Sequence, residues 1–548
     1  MLNSNYLKEE KMKKEIQKIF LGLRKSKALV LILLIPFMTQ CLDLDESPYT
    51  DVSPDNFYKN EKDLEIALNA VYAGMQNLAQ SANYNMRLEV MTEFNAPAYA
   101  KDDVEKWNAW QNINDPDKTI TIWANGFDII NRANIVLGRG ENIDMDEGRK
   151  ERMYGEARFI RAWTNFHLMR IYGRLPIPEG YTEGLSNLHI PRKSLDETYE
   201  HIIADLEYAE KLPSKKVYME EKNSPNIWRA SKEAAQGLLA KVYLYRASMN
   251  NNMDDYQKCK DYCELIIKSE ANFDLEENFE NLWYWYNLNC KFGKESIFEI
   301  NYGKQSGEHN NLHVMFGINV TEVSLGCYMY RRMGPSIDHY LSYDEKDARL
   351  ATFLTEYTKT ESREKYWFDP DNNGFYPNVP GKWSTASPGN IKYYDKTPES
   401  ADLKLPAANI YVIRFADILL MYAEAENQLN GPTIDAYEKL NKVRTRSHLD
   451  PLSIDTSIDK KTFDDLVYRE RGWEFVGESQ LYFDGLRTGR LAKNVKKHLE
   501  WGKERGIYMY TYDPTFLPTK DFLWKIPQKD FDSNSALEQN PDNVSAQI

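Results

Sequence analysis

The chain has few of the residues that build disulfide frameworks, metal centres or nucleic-acid sites. Its 548 residues include five cysteines and eight histidines, and neither type recurs at a spacing that would bind zinc. Acidic residues outnumber basic ones by 83 to 69, and the formal charge is −14. We expect no nucleic-acid partner, because phosphate neutralisation needs clustered Lys and Arg. Cys259, Cys263, Cys290 and Cys327 are predicted to be small buried apolar residues.

Signatures of known catalytic sites are also missing. The chain contains no His-Glu-x-x-His, no Gly-x-Ser-x-Gly and no phosphate-binding loop. The stretch Asp369-Pro-Asp371-Asn-Asn373-Gly374 matches the first half of a calcium loop, but its twelfth position is Pro380 instead of the closing glutamate. A polar turn is the prediction there, and a looser calcium site is the alternative. We therefore predict a non-catalytic protein without a cofactor.

Long apolar runs are absent apart from one near the N-terminus. The eleven residues from Ala28 to Met38 are apolar and follow a segment, Lys8 to Lys27, that is basic on balance. A run this short is typical of a secretory signal, because a membrane-spanning helix needs about 20 residues. Cys41 follows, which predicts a lipoprotein signal over residues 1–40 and a diacylated Cys41. An ordinary secreted protein is the alternative, because Gln40 stands where a small residue is usual.

Aromatic residues, in contrast, are abundant. They make up 13% of the chain, with 36 Tyr and 12 Trp, and suit surfaces that stack on sugar rings. Many lie in two stretches without helical periodicity, 82–118 and 270–400. The predicted ligand-binding residues are Trp107, Asn108 and Trp110 in the first stretch, and Trp283, Trp285, Tyr328, Tyr330 and Arg331 in the second. For each tryptophan taken singly, core packing is the competing interpretation.

Hydrophobic periodicity elsewhere predicts helices that pack in pairs. Apolar residues recur at steps of three and four over 61–79, 123–137 and 153–172. Helix–turn–helix pairs of the tetratricopeptide type are predicted for Ala234 to Met249 with Tyr256 to Ile267, and for Ile418 to Leu429 with Ile434 to Arg446. Ser296 to Tyr302 is the best strand of the irregular stretch. The predicted fold is mainly α, with loop-rich insertions that contain short strands.

The stretch from Met153 to Pro178 resembles a known family signature. Glu-Ala-Arg-Phe-Ile-Arg-Ala-Trp, at 156–163, precedes Tyr-Gly-Arg-Leu-Pro-Ile-Pro, at 172–178. Both resemble the signature helix of the SusD/RagB family of outer-membrane nutrient-binding lipoproteins. Further motifs follow in the family's order: Ile413 to Ala425, Leu440 to Arg446, Glu470 to Phe475, Phe483 to Arg487, Trp524 to Pro527 and Gln539-Asn540-Pro541. Glu478 to Tyr482 departs from the family pattern, and we expect a local loop change there.

The resemblance implies a SusD-like helical fold and a function outside the cell. It divides the chain into a signal peptide (1–40), an N-terminal helical region (41–270), a loop-rich ligand-side insertion (271–400) and a C-terminal region (401–548). The implied location is the outer membrane, with the protein anchored through Cys41 and facing the extracellular side. The implied ligand is an oligosaccharide, and the implied partner is a SusC-like TonB-dependent barrel that receives it.

Two alternative functions stay open on the sequence alone. One is a peptide- or protein-binding surface lipoprotein of the same fold. The other is a surface glycoside hydrolase, which needs two carboxylates about 5–10 Å apart across a cleft. With 83 acidic residues the sequence singles out no such pair.

Overall fold

The structure is a computed structural model that describes most of the chain after residue 56. The described residues are Lys14, 57–97, 110, 114–116, 122–182, 188–220, 226–283, 291–303, 310, 312, 333–358, 363–371, 374–376, 388–393, 407–506 and 516–546. The chain divides into two units, Met1–Phe57 and Tyr58–Ile548, and the helices and strands named below belong to the second. Cys41 and the predicted signal peptide lie outside the described residues. Within them, no helix combines the length and apolarity needed to cross a membrane.

Helices dominate the N-terminal half. They are α1 (Glu61–Ala79), α2 (Ala82–Val90), α3 (Trp123–Gly140), α4 (Glu147–Tyr172), α5 (Leu195–Ala209), α6 (Lys215–Glu220), α7 (Lys232–Asn250) and α8 (Met253–Ile267). Asn60 caps α1 by accepting from the backbone N–H groups of Lys62 and Asp63. A capping box of Ser194 and Glu197 opens α5. The chain therefore starts these helices where its capping residues indicate.

The C-terminal half adds a second group of helices. They are α9 (Ile337–Leu341), α10 (Phe415–Asn430), α11 (Ile434–Arg446), α12 (Lys460–Phe475), α13 (Leu481–Arg487), α14 (Leu491–Glu504) and α15 (Gln528–Ser533). Helices pack in sequential pairs, α3 on α4, α4 on α5, α7 on α8 and α10 on α11, and α8 also packs on α10. Cys259 and Cys263 are buried free thiols in α8, as predicted. The predicted helix pairs are confirmed.

Helix α4, the signature helix, is buried on several sides. Its aromatic and aliphatic stripe is enclosed, and the two arginines of its polar row, Arg158 and Arg161, form ion pairs with Asp205. Arg161 donates from both Nε and Nη2 to Asp205 at 2.7 Å. The helix ends at Gly173, whose φ of +72° is left-handed and favours glycine. The sequence correctly predicted this end.

The carbonyl groups left open at that end bind two distant family motifs. Arg192 Nη2 donates to the Tyr172 carbonyl at 2.7 Å. Asn540 Nδ2 donates to the carbonyls of Tyr172, at 2.9 Å, and of Trp524, at 2.8 Å. The backbone N–H of Trp524 donates to the Ile171 carbonyl at 2.9 Å. Motifs separated by more than 300 residues in sequence therefore meet in one hydrogen-bond network at the end of α4.

The strands are short and antiparallel. They are β1 (Asn95–Pro97), β2 (Ser296–Ile300), β3 (Met333–Pro335), β4 (Phe353–Leu354), β5 (Glu356–Thr358), β6 (Lys365–Asp369), β7 (Gly374–Tyr376), β8 (Gly389–Asn390) and β9 (Ile410–Arg414). Among the described residues they form the sheets β1–β3, β2–β9, β4–β8 and β5–β6–β7. The predicted strand at Ser296 is β2, which pairs with β9 and so joins the irregular stretch to the C-terminal helices.

The calcium-like stretch lies between paired strands. Asp369 and Gly374 are opposite one another in the β6–β7 ladder. The backbone N–H of Asp371 donates to Asp369 Oδ1 at 3.0 Å, which is the hydrogen bond of an Asx turn. The predicted polar turn is therefore confirmed.

Candidate ligand-binding edge

Two of the predicted ligand loops leave the helical scaffold side by side. In the antiparallel pair β1–β3, Pro97 lies opposite Met333. The Ser336 backbone N–H donates to the Phe94 carbonyl at 2.9 Å, which extends the pairing. The segment after Pro97 carries Trp107 and Asn108, and the segment before Met333 carries Tyr328, Tyr330 and Arg331. The attachment points of these two loops are therefore neighbours.

Two further segments start close together beside the first pair. The Trp283 ring meets Tyr393 and Tyr411 edge-on, with centroids 5.9 and 5.6 Å apart. The segment with Trp285 begins directly after Trp283, and residues 394–406 begin after Tyr393. Strand β8, which precedes Tyr393, contacts β3. We call the four roots Pro97, Trp283, Met333 and Tyr393 the loop-bearing edge.

Two of the predicted ligand-binding tryptophans are core residues, which corrects the sequence interpretation. Trp110 is 0% exposed and Trp283 is 3% exposed. The Trp110 ring packs on Phe522, with centroids 5.3 Å apart, and stacks on Tyr482 and Phe516. Neither ring presents a face to a ligand, so both are structural. The physical reason is that an apolar ring beside other apolar side chains gains more from burial than from exposure.

The other predicted ligand residues lie outside the described part of the chain. They are Trp107, Asn108, Trp285, Tyr328, Tyr330 and Arg331. The structure describes only the residues at which the loops that carry them join the scaffold, on the loop-bearing edge. Their role in binding stays a prediction.

The turn that follows α12, residues 476–479, is hydrogen-bonded to the loop-bearing edge. Tyr393 Oη donates to the Gly477 carbonyl at 3.1 Å, and Asn390 Nδ2 donates to the Val476 carbonyl at 3.4 Å. Gly477 has a φ of +85°, and a Cβ atom there would lie 2.3 Å from Asn390 Nδ2. Glycine is therefore required both by the backbone conformation and by the close approach of β8.

Glu89, at the end of α2, connects the same turn to β1. Its Oε2 accepts from Asn95 Nδ2 at 2.5 Å and from the Gly477 backbone N–H at 3.2 Å, and its Oε1 accepts from the Ser479 backbone N–H. Burial raises the pKa of Glu89 to about 7, although the N–H groups of Ser479 and Gly477 lower it in part. This carboxyl therefore titrates near neutral pH.

A cluster of buried charged side chains includes Glu478 of this turn, and we call it the charge cluster. Its carboxylates are Glu295, Asp347, Glu470, Glu474 and Glu478, and its cations are Arg349, Lys392, Arg414, Arg444 and Arg446. Five carboxylates face five cations, so the formal charges balance. Balanced pairing is required here, because an unpaired charge is very unfavourable in a protein interior.

Arg414, the last residue of β9, is the centre of the charge cluster. Its guanidinium reaches Glu295 at 2.8 Å, Glu474 at 2.5 Å and Glu478 at 2.9 Å. The Lys392 ammonium, next to the edge residue Tyr393, also binds Glu478, at 2.7 Å. Burial alone would raise the pKa of the Glu474 carboxyl, but the surrounding guanidiniums, led by Arg446, hold that pKa below its ordinary value. Glu474 therefore stays ionised, and the ion pairs tie β9, α12 and the segment that follows β8 together.

The sequence did not predict this cluster. Glu478 falls in the stretch where only a local loop change was expected, yet it is the shared partner of Arg414 and Lys392. The available signal was the carboxylate pair Glu470 and Glu474, which lies one helical turn apart on a face that the apolar pattern assigns to the core. The described residues contain no group of His, Cys, Asp or Glu that could hold a metal ion.

Two protein-family models match most of the chain between them. Residues 294–542 match the model of the SusD family. Residues 44–244 match a second model, described as starch-binding and associating with the outer membrane. The chain belongs to the SusD family. The family expected from the signature motifs is thereby confirmed.

Relatives of this SusD-family protein align over nearly its full length. SusD-like protein P2 of Formosa agariphila is 26% identical over 541 residues, which cover 94% of this chain and 99% of that protein. A SusD-like protein of Bacteroides ovatus is 26% identical over 573 residues, with 94% and 98% coverage.

Solved structures of the family share the fold. A laminarin-binding SusD-like protein superposes with a TM-score of 0.66 at 23% identity, covering 88% of this chain and 100% of that chain. Surface glycan-binding protein A from Bacteroides uniformis superposes with a TM-score of 0.67 at 24% identity, covering 88% and 99%. The prediction of a mainly α, SusD-like fold is confirmed.

Replacing Arg414 tests the charge cluster. We expect Arg414→Met to lower the free energy of unfolding by about 3–5 kcal/mol, because it leaves buried carboxylates without their counter-charge. The matched control is Arg149→Met, whose partner Glu61 lies at the surface; its effect should stay below about 1 kcal/mol. Urea denaturation measures both. Equal stability of the two variants would contradict the assigned role of Arg414.

The raised pKa of Glu89 predicts a pH dependence. Its pKa is about 7 in the folded protein against an ordinary 4.5, so the folded state holds the proton more tightly. This contribution to stability is complete below pH 4.5 and is lost as the pH rises to 7. Glu89→Gln removes the titration, so its stability relative to wild type should rise by about 3 kcal/mol between pH 4.5 and 8.

Thermal melts across this pH range check the Glu89 prediction. Glu200→Gln, at an exposed position of α5, is the control, and its difference from wild type should not change with pH. A Glu89→Gln difference that is equally flat would show that the carboxyl does not titrate in this window.

Proposed function

We propose that this SusD-family protein is a non-catalytic glycan-binding lipoprotein of the cell surface. It captures oligosaccharides and delivers them to a TonB-dependent outer-membrane transporter. One relative of the same fold is named as laminarin-binding and another as a surface glycan-binding protein. The family model over residues 44–244 is described as starch-binding and associated with the outer membrane. These names support a saccharide ligand and an extracellular place of action.

The observation that carries the proposal is the pairing of Pro97 with Met333. It joins the roots of the two loops that hold Trp107, Asn108, Tyr328, Tyr330 and Arg331. Aromatic rings offer faces to the apolar side of a sugar, while amide and guanidinium groups bond its hydroxyls. Loops of this composition with adjacent roots can act on one ligand.

A rigid base suits capture by loops. Each side chain or loop that becomes ordered on binding loses conformational entropy. Loop ends that are already fixed therefore reduce the entropy lost when a sugar binds. The charge cluster and the turn at 476–479 hold the Tyr393 root through Lys392 and Tyr393. Glu89 connects the same turn to Asn95 of β1, the strand that ends at the Pro97 root. Such a site binds with moderate affinity and still releases its ligand to a transporter.

Anchoring explains how delivery would work. Two acyl chains on Cys41 give the stable membrane attachment that one chain does not. A tether also raises the effective concentration of captured ligand at the mouth of a neighbouring barrel. The proposal therefore includes lipidation of Cys41, exposure to the extracellular side and a SusC-like barrel as partner.

Alanine at the loop tryptophans tests glycan capture. We expect Trp107→Ala and Trp285→Ala each to weaken binding of the best neutral oligosaccharide by about tenfold or more, as for aromatic hot spots. Titration calorimetry against a panel of neutral glycans gives the ligand and the affinities. Trp228→Ala, at a half-buried ring beside Tyr72, is the control and should bind as wild type. Binding to peptides, with no glycan bound at all, would refute the saccharide ligand.

Replacing Cys41 tests the anchor. In the native host, wild-type protein should be found in the outer-membrane fraction, with diacylated Cys41 as its N-terminal residue by mass spectrometry. Cys41→Ser should remove the acyl mass and shift the protein out of the membrane fraction, while purified Cys41→Ser protein binds glycan unchanged. An unacylated wild-type protein free in the medium would contradict the anchoring model.

A further inference from the structure

A groove runs between α12 and α14 in the described part of the chain. Its volume is about 910 Å³, within the usual range of ligand sites, about 300–1,000 Å³. Side chains at steps of three and four line it from each helix, as one face of a helix does. They are Lys461, Asp465, Tyr468, Arg469 and Trp473 on α12, and Lys493, Asn494, Lys497, His498 and Trp501 on α14.

The groove is closed along one side by α9 and held in shape by cross-links. Trp473 Nε1 donates to Ser342 Oγ at 2.9 Å, and His498 Nδ1 lies 2.8 Å from Asp338 Oδ2. Arg490, at the start of α14, reaches Asp465 of α12 at 2.9 Å. These contacts connect all three helices, so the groove is a built feature of the scaffold.

Most acidic oxygens of the groove already have partners within the protein. Asp464 accepts from Asn427 Nδ2 at 2.7 Å, whereas Glu93 Oε2 has no hydrogen-bond partner among the described residues. Glu93 Oε1 accepts from Tyr468 Oη at 2.9 Å and from Asn494 Nδ2 at 2.7 Å. Asp338 faces His498, and Asp465 is paired with Arg490. Their negative charge is therefore offset or hydrogen-bonded before any ligand arrives.

Three cations of the groove are left for a ligand. Arg469, Lys493 and Lys497 are exposed, and none of them forms an ion pair with another residue in the described ranges. They stand on both walls, next to the partly exposed rings of Trp473 and Trp501. Because the chain has a formal charge of −14, an anionic ligand needs such a local group of cations to be attracted to it.

We propose that this groove binds an acidic oligosaccharide, with its carboxylate or sulfate groups on Arg469, Lys493 and Lys497. The sugar rings would lie against Trp473 and Trp501. The stripe from Lys461 to Trp473 follows α12 for about 18 Å at 1.5 Å per residue, which suits an extended chain. Among the described residues the groove adjoins β1 through Phe94, and its lining comes from α9, α12, α14 and their flanks. The inference takes from the proposed function only that the ligand is a saccharide.

The test compares acidic and neutral ligands on matched variants. Calorimetry of the purified protein uses hexamers of galacturonate, a sulfated oligosaccharide and a neutral glucan of equal length. Lys493→Gln combined with Lys497→Gln should weaken the acidic ligand about tenfold, and 0.5 M salt should weaken wild-type binding similarly, because salt screens exposed charges. The control, Lys62→Gln combined with Lys232→Gln, removes the same charge at exposed positions outside the groove and should change affinity less than twofold.

The outcomes separate the groove from the loops. Binding of the galacturonate or the sulfated ligand that survives Trp107→Ala but is weakened about tenfold in the lysine double variant and in Trp473→Ala supports the groove and identifies the anionic group. Loss of neutral-glucan binding in Trp107→Ala tests only the loops. If no acidic ligand binds, or if both lysine pairs change affinity equally, the proposal is overturned.

Discussion

The structure depends on the pairing of charges that have been removed from water. Glu295, Glu474 and Glu478 are fully or nearly fully buried, and each is bound by Arg414. An isolated buried carboxylate would cost several kcal/mol, so these groups hold their positions only as a set. Because the ion pairs also include Lys392, just after β8, and join β9, α12 and the turn at 476–479, no one of these elements can move alone. The cluster fixes geometry more than it adds stability.

That constraint explains how variable loops and a fixed scaffold coexist in one chain. The helix pairs bury their apolar faces against each other and need no ligand to fold. The loops of the candidate site are attached to the scaffold at Pro97, Trp283, Met333 and Tyr393, where strand pairing, ring packing and the charge cluster hold the backbone. Changes of sequence beyond those roots can alter the ligand without disturbing the fold.

Local signals predicted most of the fold and less of the site. Asn60 and Gly173 specify helix ends through short-range hydrogen bonds and backbone conformation, and those ends lie where the apolar periodicity predicts them. Trp110 and Trp283 were assigned to the ligand because composition cannot distinguish a ring that stacks on sugar from one that fills the core. The charge cluster joins residues more than 180 positions apart in sequence, from Glu295 to Glu478, so no local pattern shows it. Contacts between residues far apart in sequence determine both the burial of these tryptophans and the formation of the charge cluster.

Hydrogen–deuterium exchange with and without a bound oligosaccharide tests the central claim most directly. The account predicts that the ligand slows exchange in peptides next to Pro97, Trp283, Met333 and Tyr393, while the α7–α8 pair is unchanged. Protection of the α7–α8 pair, with no change at the loop-bearing edge, would contradict it.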